Sequence, residues 1–381
     1  MINELLHPKI SKALIDDFKI NEFTDIQVQI IPHIIEGKNT IGISQTGSGK
    51  TLSYVLPIIS QIVDKPKKPI KALVITPTKE LAEQILAVFK KAARHTNLIC
   101  MSLYGGASFN EQVRDLNKGV HIVVACPGRL KDHIEKQTID LKNVHTVVLD
   151  EADQLMDMGF FPAVSAALEA AENRLQTHLF SASMSKDVSE LISQFVPNPI
   201  RVELQNTKPK ESIAEFFCPI SPELKYPFLR FLLKHKKIKY ALIFTRTKEE
   251  ASGLGEQLVK DGYLSTILQG DMTTHQRRKS LDSLVHKKSF FLVATDVASR
   301  GIDIPHVEFV INYNPPESFE AYVHRIGRTA RHDLSGQAYT LFTPEEEMQL
   351  KKIFDEKIYK KSKFKEFNYQ MKIEKRHIKI F

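Results

Sequence analysis

A chain of 381 residues, 42% hydrophobic and 26% charged, has the composition of a globular protein with room for two cores. Its longest apolar runs, such as 147–149 and 290–294, are strand-sized and predict no membrane span, and the N-terminus has neither the basic nor the apolar region of a signal peptide. Of the +8 formal charge, residues 351–381 supply +7 (11 Lys+Arg against 4 Asp+Glu), so a nearly neutral body carries a basic tail. That tail fits a polyanionic partner and fits a solvated charged helix equally well. Cys100, Cys126 and Cys218 are scattered, which argues against a disulfide framework or a zinc site and fits a reducing cytoplasm.

In chain order, short apolar runs alternate with helical patterns in two blocks. Strand candidates lie at 39–44, 72–76, 121–125, 146–149 and 177–181, then at 240–245, 264–269, 290–294, 308–312 and 337–342. Most are uninterrupted β-rich runs, as parallel strands covered on both faces require. The alternation predicts an α/β fold of two tandem domains, each a mostly parallel sheet flanked by helices. Residues 204–210, LQNTKPK, are polar, contain a proline and lack periodicity, so they are the expected linker. The expected domains are 1–203 and 211–345, with a tail at 346–381 that begins as a helix and continues as an extended basic segment.

The glycine-rich stretch Ser44-Gln45-Thr46-Gly47-Ser48-Gly49-Lys50-Thr51 directly follows an apolar strand. In that setting Gly47 and Gly49 let backbone N–H groups approach phosphate oxygens. Lys50 neutralises the β/γ-phosphates, and the Thr51 hydroxyl holds Mg²⁺. Ser44 stands where the strict motif has glycine. Asp150-Glu151-Ala152-Asp153 ends the strand candidate HTVVL. A carboxylate there, beside a phosphate loop, suits a Mg²⁺ site: Asp150 through the metal's waters, with Glu151 orienting or deprotonating the attacking water. Acidic clusters after strands also serve as helix N-caps, and the pairing with the upstream loop favours the chemical role.

Together with their surroundings these residues resemble the DEAD-box helicases over residues 15–345, in the family's motif order. Thr24-Asp25-Ile26-Gln27 is similar to the Q motif, the loop at 44–51 to motif I, and Pro77-Thr78-Lys79-Glu80-Leu81-Ala82 to motif Ia. Gly105-Gly106 follows, then Cys126-Pro127-Gly128-Arg129, similar to motif Ib. Residues 150–153 spell DEAD, and Ser181-Ala182-Ser183 resembles motif III. Phe244-Thr245-Arg246-Thr247 resembles motif IV, residues 294–303 motif V, and residues 324–331, HRIGRTAR, motif VI. Lys79 departs from the usual Arg, Cys126 and Ser183 from Thr, Thr274 from Gln and Ala330 from Gly; none of these removes a catalytic group.

The resemblance implies two RecA-like domains, in a monomer, that close on ATP, Mg²⁺ and single-stranded or short duplex RNA. It implies that Gln27 reads adenine, a role that suits an amide able to donate to N7 while accepting from N6. Arg328 and Arg331 match arginine fingers that complete the site only on closure. Asp153, Ser181, Ser183, His324 and Arg325 would couple nucleotide to RNA, and Asp296 would lie near the ribose. RNA contacts are implied at Thr78, Lys79, Gly106, Arg129, Arg246 and Thr295. Such groups suit phosphates and sugars, so binding is expected to be sequence-independent and salt-sensitive. Where the family usually stacks an upstream aromatic residue on adenine, this chain has Ile2, and its first aromatic is Phe18. Two alternatives stay open: an ATP-gated RNA clamp with little unwinding, and a DNA helicase with the same core.

Overall fold

The computed structural model describes residues 2–44, 47–66, 68–204, 213–285, 290–296, 307–329 and 336–354. The chain divides into two units, Met1–Thr207 and Lys208–Phe381. The expected linker lies outside the described residues except for Leu204, and so does the tail from 355 onward.

In the first unit seven strands pair in parallel: β1 (Thr40–Ile43), β2 (Ala72–Ile75), β3 (Cys100–Leu103), β4 (Ile122–Ala125), β5 (Thr146–Leu149), β6 (Gln176–Ser181) and β7 (Ile200–Glu203). Their spatial order is β3-β4-β2-β5-β6-β1-β7. Alternate residues of one strand feed different cores. Ala72 and Val74 join Tyr54, Phe89 and Phe180, while Leu73 and Ile75 join Val147, Leu149 and Leu179. Burial on both faces is why these strands read as unbroken apolar runs.

The second unit repeats the plan with β8 (Ile213–Pro219), β9 (Ala241–Thr245), β10 (Ser265–Leu268), β11 (Phe291–Thr295), β12 (Phe309–Asn312) and β13 (Gly336–Phe342), in the parallel order β10-β11-β9-β12-β13-β8. A further cluster of Phe217, Tyr322, Ile326, Phe342, Leu350 and Phe354 docks the last described helix, Pro344–Ile353. Helix starts follow local chemistry. Ser108, Ser185, Thr247 and Ser318 each accept the N–H three residues on, and Thr343 with Glu346 forms a reciprocal capping box. Among the described residues no helix is long and apolar enough to cross a membrane.

All ten expected strands are present, with ends shifted by a residue or so. Three were not expected: β3, β7 and β8, each at a sheet edge. In β7 only Val202 is buried, and β8 buries only Phe217 and Cys218. An edge strand that is only partly buried needs no continuous apolar run, so period and composition gave little signal.

Thr40 and His178 face each other in register on β1 and β6, both fully buried, with the Thr40 hydroxyl 2.9 Å from His178 Nδ1. Burial pushes the His178 imidazole down from 6.5 to about 3, so it is neutral in the folded chain. As pH falls below 6.5, the unfolded chain takes up a proton that the folded chain refuses until about 3. The stability contribution is therefore present above that window and lost as pH falls through it. One such proton gives a slope of about 1.4 kcal/mol per pH unit. Thr40→Val combined with His178→Leu should flatten the acid limb of the unfolding free energy by that slope. Denaturant titrations between about pH 7 and 4.5 check this, and an unchanged limb contradicts it.

Candidate functional site

Apart from Gln27, the expected site residues described in the first unit lie at or beyond the carboxyl ends of its parallel strands, the edge where α/β sheets place ligands. Gly47 and Gly49 take φ of 84° and 98° in the left-handed region. A Cβ on Gly49 would come within 2.5 Å of Gln27 Nε2 and 2.7 Å of Thr24 Oγ1, so only glycine lets the loop pass there. Gln45 and Thr46 lie outside the described residues. Lys50 opens the helix Lys50–Ile62, is 8% exposed, and donates to the Ser44 carbonyl at 2.5 Å. The Ser44 and Ser48 hydroxyls are 2.7 Å apart.

Gln27 is buried in the first turn of the helix Asp25–Ile35, where it completes a capping box with Thr24. Its Oε1 accepts the Thr24 N–H at 3.0 Å, and its Nε2 donates to the Gly49 carbonyl at 3.1 Å. A primary amide has two donors and two acceptor sites. One of each therefore remains, the set that an adenine edge would use. Upstream, Ile2 begins the short helix Ile2–Leu5 and packs, partly buried, against the first core.

Asp150 follows β5 and is buried. Its Oδ2 accepts from the Tyr54 hydroxyl at 2.7 Å and its Oδ1 from the Glu151 N–H at 3.0 Å. Burial pushes the Asp150 carboxyl above its ordinary value, while the Tyr54 bond and the Lys50 charge act in the opposite sense. A cation beside Asp150 would offset the cost of keeping it ionised. With the Thr51 hydroxyl on the helix that follows the loop, this sparse oxygen set fits a hard divalent ion held mainly through water. Glu151 sits at φ 53°, ψ 53°, a conformation that costs a non-glycine residue of order 1–3 kcal/mol.

Asp153 ties the acidic turn to the end of β6. Its Oδ2 accepts from the N–H groups of Ala182 (3.2 Å) and Ser183 (3.1 Å) and from the Ser183 hydroxyl (3.3 Å). The Asp153 N–H donates to Ser181 Oγ at 3.2 Å, and that hydroxyl donates to the Ser183 carbonyl at 2.7 Å.

Further along the same edge, Thr78 caps the helix Lys79–Ala92 by accepting the Leu81 N–H, and Lys79 Nζ lies 3.8 Å from Glu80. Gly106 is exposed at φ 86°. Arg129 donates to the Ala107 carbonyl at 3.0 Å and to Gln112 Oε1 at 2.7 Å. Gln112 Oε1 is also 3.2 Å from His133 Nε2, and the His133 ring stacks on Phe109. Burial pushes the Cys126 thiol up to about 12, with Glu80 adding to the effect, so it stays protonated. Sequence reasoning missed Tyr54, Gln112 and His133. Only Tyr54 had a legible signal, its place one helical turn after Lys50.

In the second unit Arg246 follows β9 and donates to Glu346 Oε1 at 2.7 Å, while Lys225 holds Glu346 Oε2 at 2.9 Å. Thr295 ends β11 and is buried. Asp296, next along, takes a bidentate pair from Arg325: Nε at 2.6 Å and Nη2 at 2.7 Å. Arg325 Nη1 reaches Asn312 Oδ1 and the Asn314 carbonyl, so this arginine is engaged inside its own unit. His324 precedes it on the helix Phe319–Ile326, and Arg328, just beyond, is 6% exposed. Arg331 and residues 297–303 of the motif V stretch lie outside the described residues.

Comparison with known proteins gives concordant matches. The DEAD/DEAH box helicase family model matches residues 24–191, and the helicase conserved C-terminal domain model matches 224–333. The chain is 39% identical over 343 residues to the DEAD-box ATP-dependent RNA helicase CshA of Bacillus cereus, covering 89% of this chain and 65% of that protein. The chain thus spans somewhat less than two thirds of that relative. It is similar to the crystal structure of a DEAD box protein from the hyperthermophile Methanococcus jannaschii, with 33% identity, TM-score 0.53, and coverage of 94% of this chain and 96% of that one. It is also similar to Saccharomyces cerevisiae Dbp5 bound to RNA and ADP BeF3, with 27% identity, TM-score 0.82, and 93% of each chain covered.

Asp153→Ala strips the acceptor from the Ala182 and Ser183 N–H groups. These donors are half-buried, so leaving them unpaired falls at the low end of the about 1–3 kcal/mol for buried ones; the unfolding free energy should fall by about 1 kcal/mol, and by less for Asp153→Asn, which keeps a carbonyl acceptor. Urea titration checks this. Wild-type stability in the alanine variant would contradict the tie between these two strand ends.

Proposed function

The chain belongs to the DEAD-box family of helicases, and we propose that it is an ATP-dependent RNA helicase. ATP with Mg²⁺ draws the two domains together on single-stranded RNA, short duplexes are opened locally, and hydrolysis releases the strand. One observation carries this reading. At the carboxyl ends of β1 and β5, with only β6 between them, a glycine loop with a buried lysine lies near the buried Asp150 and Glu151. The name of the Bacillus relative and the RNA and ADP BeF3 held by Dbp5 support nucleotide and RNA as the ligands.

Within this reading Gln27 selects adenine, and Lys50 neutralises the β/γ-phosphates. Thr51 and Asp150 would hold Mg²⁺, which when bound offsets the phosphate charge. Glu151 takes the proton from the attacking water, and its buried position keeps the carboxylate close to its task. Asp153 ties the acidic turn to Ser181 and Ser183, so a change at the nucleotide is passed to the neighbouring strand end. From the second unit Arg328 and Arg331 stabilise charge in the transition state. Asp296 serves the ribose, and His324 and Arg325 serve the coupling. Thr78, Lys79, Gly106, Arg129, Arg246 and Thr295 hold the RNA backbone. These are amide, hydroxyl and basic groups, which bind phosphate and sugar without reading bases.

The test is ATPase rate with single-stranded RNA and with DNA of the same sequence, for wild type, Lys50→Ala and Glu151→Gln. RNA should stimulate wild type and DNA should not. Lys50→Ala should abolish turnover. Glu151→Gln should cut it by at least about 100-fold, the lower scale of general-base loss, while ATP-dependent RNA binding persists. Near-normal turnover in either variant, or equal stimulation by DNA, would sink the reading.

A further inference from the structure

Tyr54 lies one helical turn beyond Lys50 and is fully buried. Its ring packs on Phe180, with centroids 5.1 Å apart, and on Phe89 at 6.4 Å, so the direction of the phenol is set by the core. The hydroxyl donates to Asp150 Oδ2 at 2.7 Å, and Thr51 lies three residues before Tyr54 on the same side of the helix. The phenol therefore ties the helix that carries Thr51 to Asp150, the other residue proposed to hold Mg²⁺. Asp150 Oδ1 is meanwhile held by the Glu151 N–H at 3.0 Å, so the carboxylate is fixed from both ends. A phenylalanine would fill the same apolar space and pack on the same rings, but it could not hold the carboxylate. A buried tyrosine hydroxyl takes some partner in any core; what distinguishes this one is which partner it takes.

We infer that Tyr54 is a positioning residue for the metal: its hydroxyl holds the Asp150 carboxylate, next to Thr51, in the orientation that receives Mg²⁺ with the nucleotide. This role rests on the reading of Asp150 and Thr51 as the metal-holding pair. Without the hydroxyl, Asp150 keeps only its Oδ1 bond and can pivot about it, so the metal must order its own ligand as it binds. Groups that orient a metal ligand in this way cost about 10-fold or more in metal affinity when removed. The Tyr54 hydroxyl bonds to Asp150, whereas the Gln27 amide bonds to Thr24 and Gly49. Nucleotide binding without metal should therefore be spared.

The test titrates Mg²⁺ into the full chain with a fluorescent ADP analogue, for wild type, Tyr54→Phe and Lys50→Ala, with a parallel series in EDTA. For Tyr54→Phe, affinity in EDTA should stay within about twofold of wild type while the Mg²⁺ midpoint rises about 10-fold. An unchanged midpoint overturns the inference. So does an equal loss of affinity with and without metal, which would make the phenol a packing group and nothing more. If wild type gains no affinity from Mg²⁺, or Lys50→Ala binds as wild type does, the nucleotide site itself is misassigned and the role of Tyr54 falls with it. That outcome is separate from a Tyr54→Phe variant that merely matches a metal-responsive wild type.

Discussion

A carboxylate removed from water must be compensated by neighbours, and Asp150 meets that demand at the end of a strand covered on both faces. The Tyr54 hydroxyl, the Glu151 N–H and the Lys50 charge gather around it at the carboxyl edge of the sheet. In the first sheet β5, β6 and β1 lie side by side and run parallel, so their carboxyl ends bring together segments far apart in the chain. Asp153 uses the same edge to hold the turn after β6. Packing thus decides where charge is concentrated, and the polar groups at that edge are matched to one another. The left-handed backbone at Glu151 is tolerated because its neighbours on both sides are fixed.

The second unit has the same sheet plan without a glycine loop, and it spends its charges differently. Arg325 closes a bidentate pair on Asp296 and fills further bonds to Asn312 and Asn314. Burying such a pair is favourable only when the geometry is good and the remaining donors find partners, and four of the five Arg325 N–H donors have described partners here. Arg246 and Lys225 share Glu346, which also caps the last described helix, so the docking of that helix and the position of Arg246 depend on one side chain. In the proposed mechanism the first unit binds the nucleotide and the second contributes arginines, so neither is complete alone.

Much of this was legible in the sequence, for physical reasons. Strands buried on both faces are mostly apolar, so β2, β5 and β11 announced themselves, and the partly buried edge strands β3, β7 and β8 did not. The loop at 44–51 and the acidic turn at 150–153 were visible because their chemistry needs particular residues at short spacing. Partnerships across long separations were not visible: Arg246 with Glu346, Asp296 with Arg325, and Arg129 with Gln112 depend on how strands and helices are laid side by side. Tyr54 stood between the two cases. Its helical spacing from Lys50 was readable, but its bond to Asp150 needed the fold.

In the proposed mechanism labour is divided between a unit that binds ATP and a unit whose arginine completes hydrolysis. The most direct measurement is ATP affinity and RNA-stimulated hydrolysis, side by side, in wild type and Arg328→Ala. Hydrolysis should fall by about 10³-fold or more, the scale of a lost arginine finger, with ATP affinity nearly unchanged. A fall in affinity as steep as the fall in turnover would make Arg328 a binding residue and contradict the division.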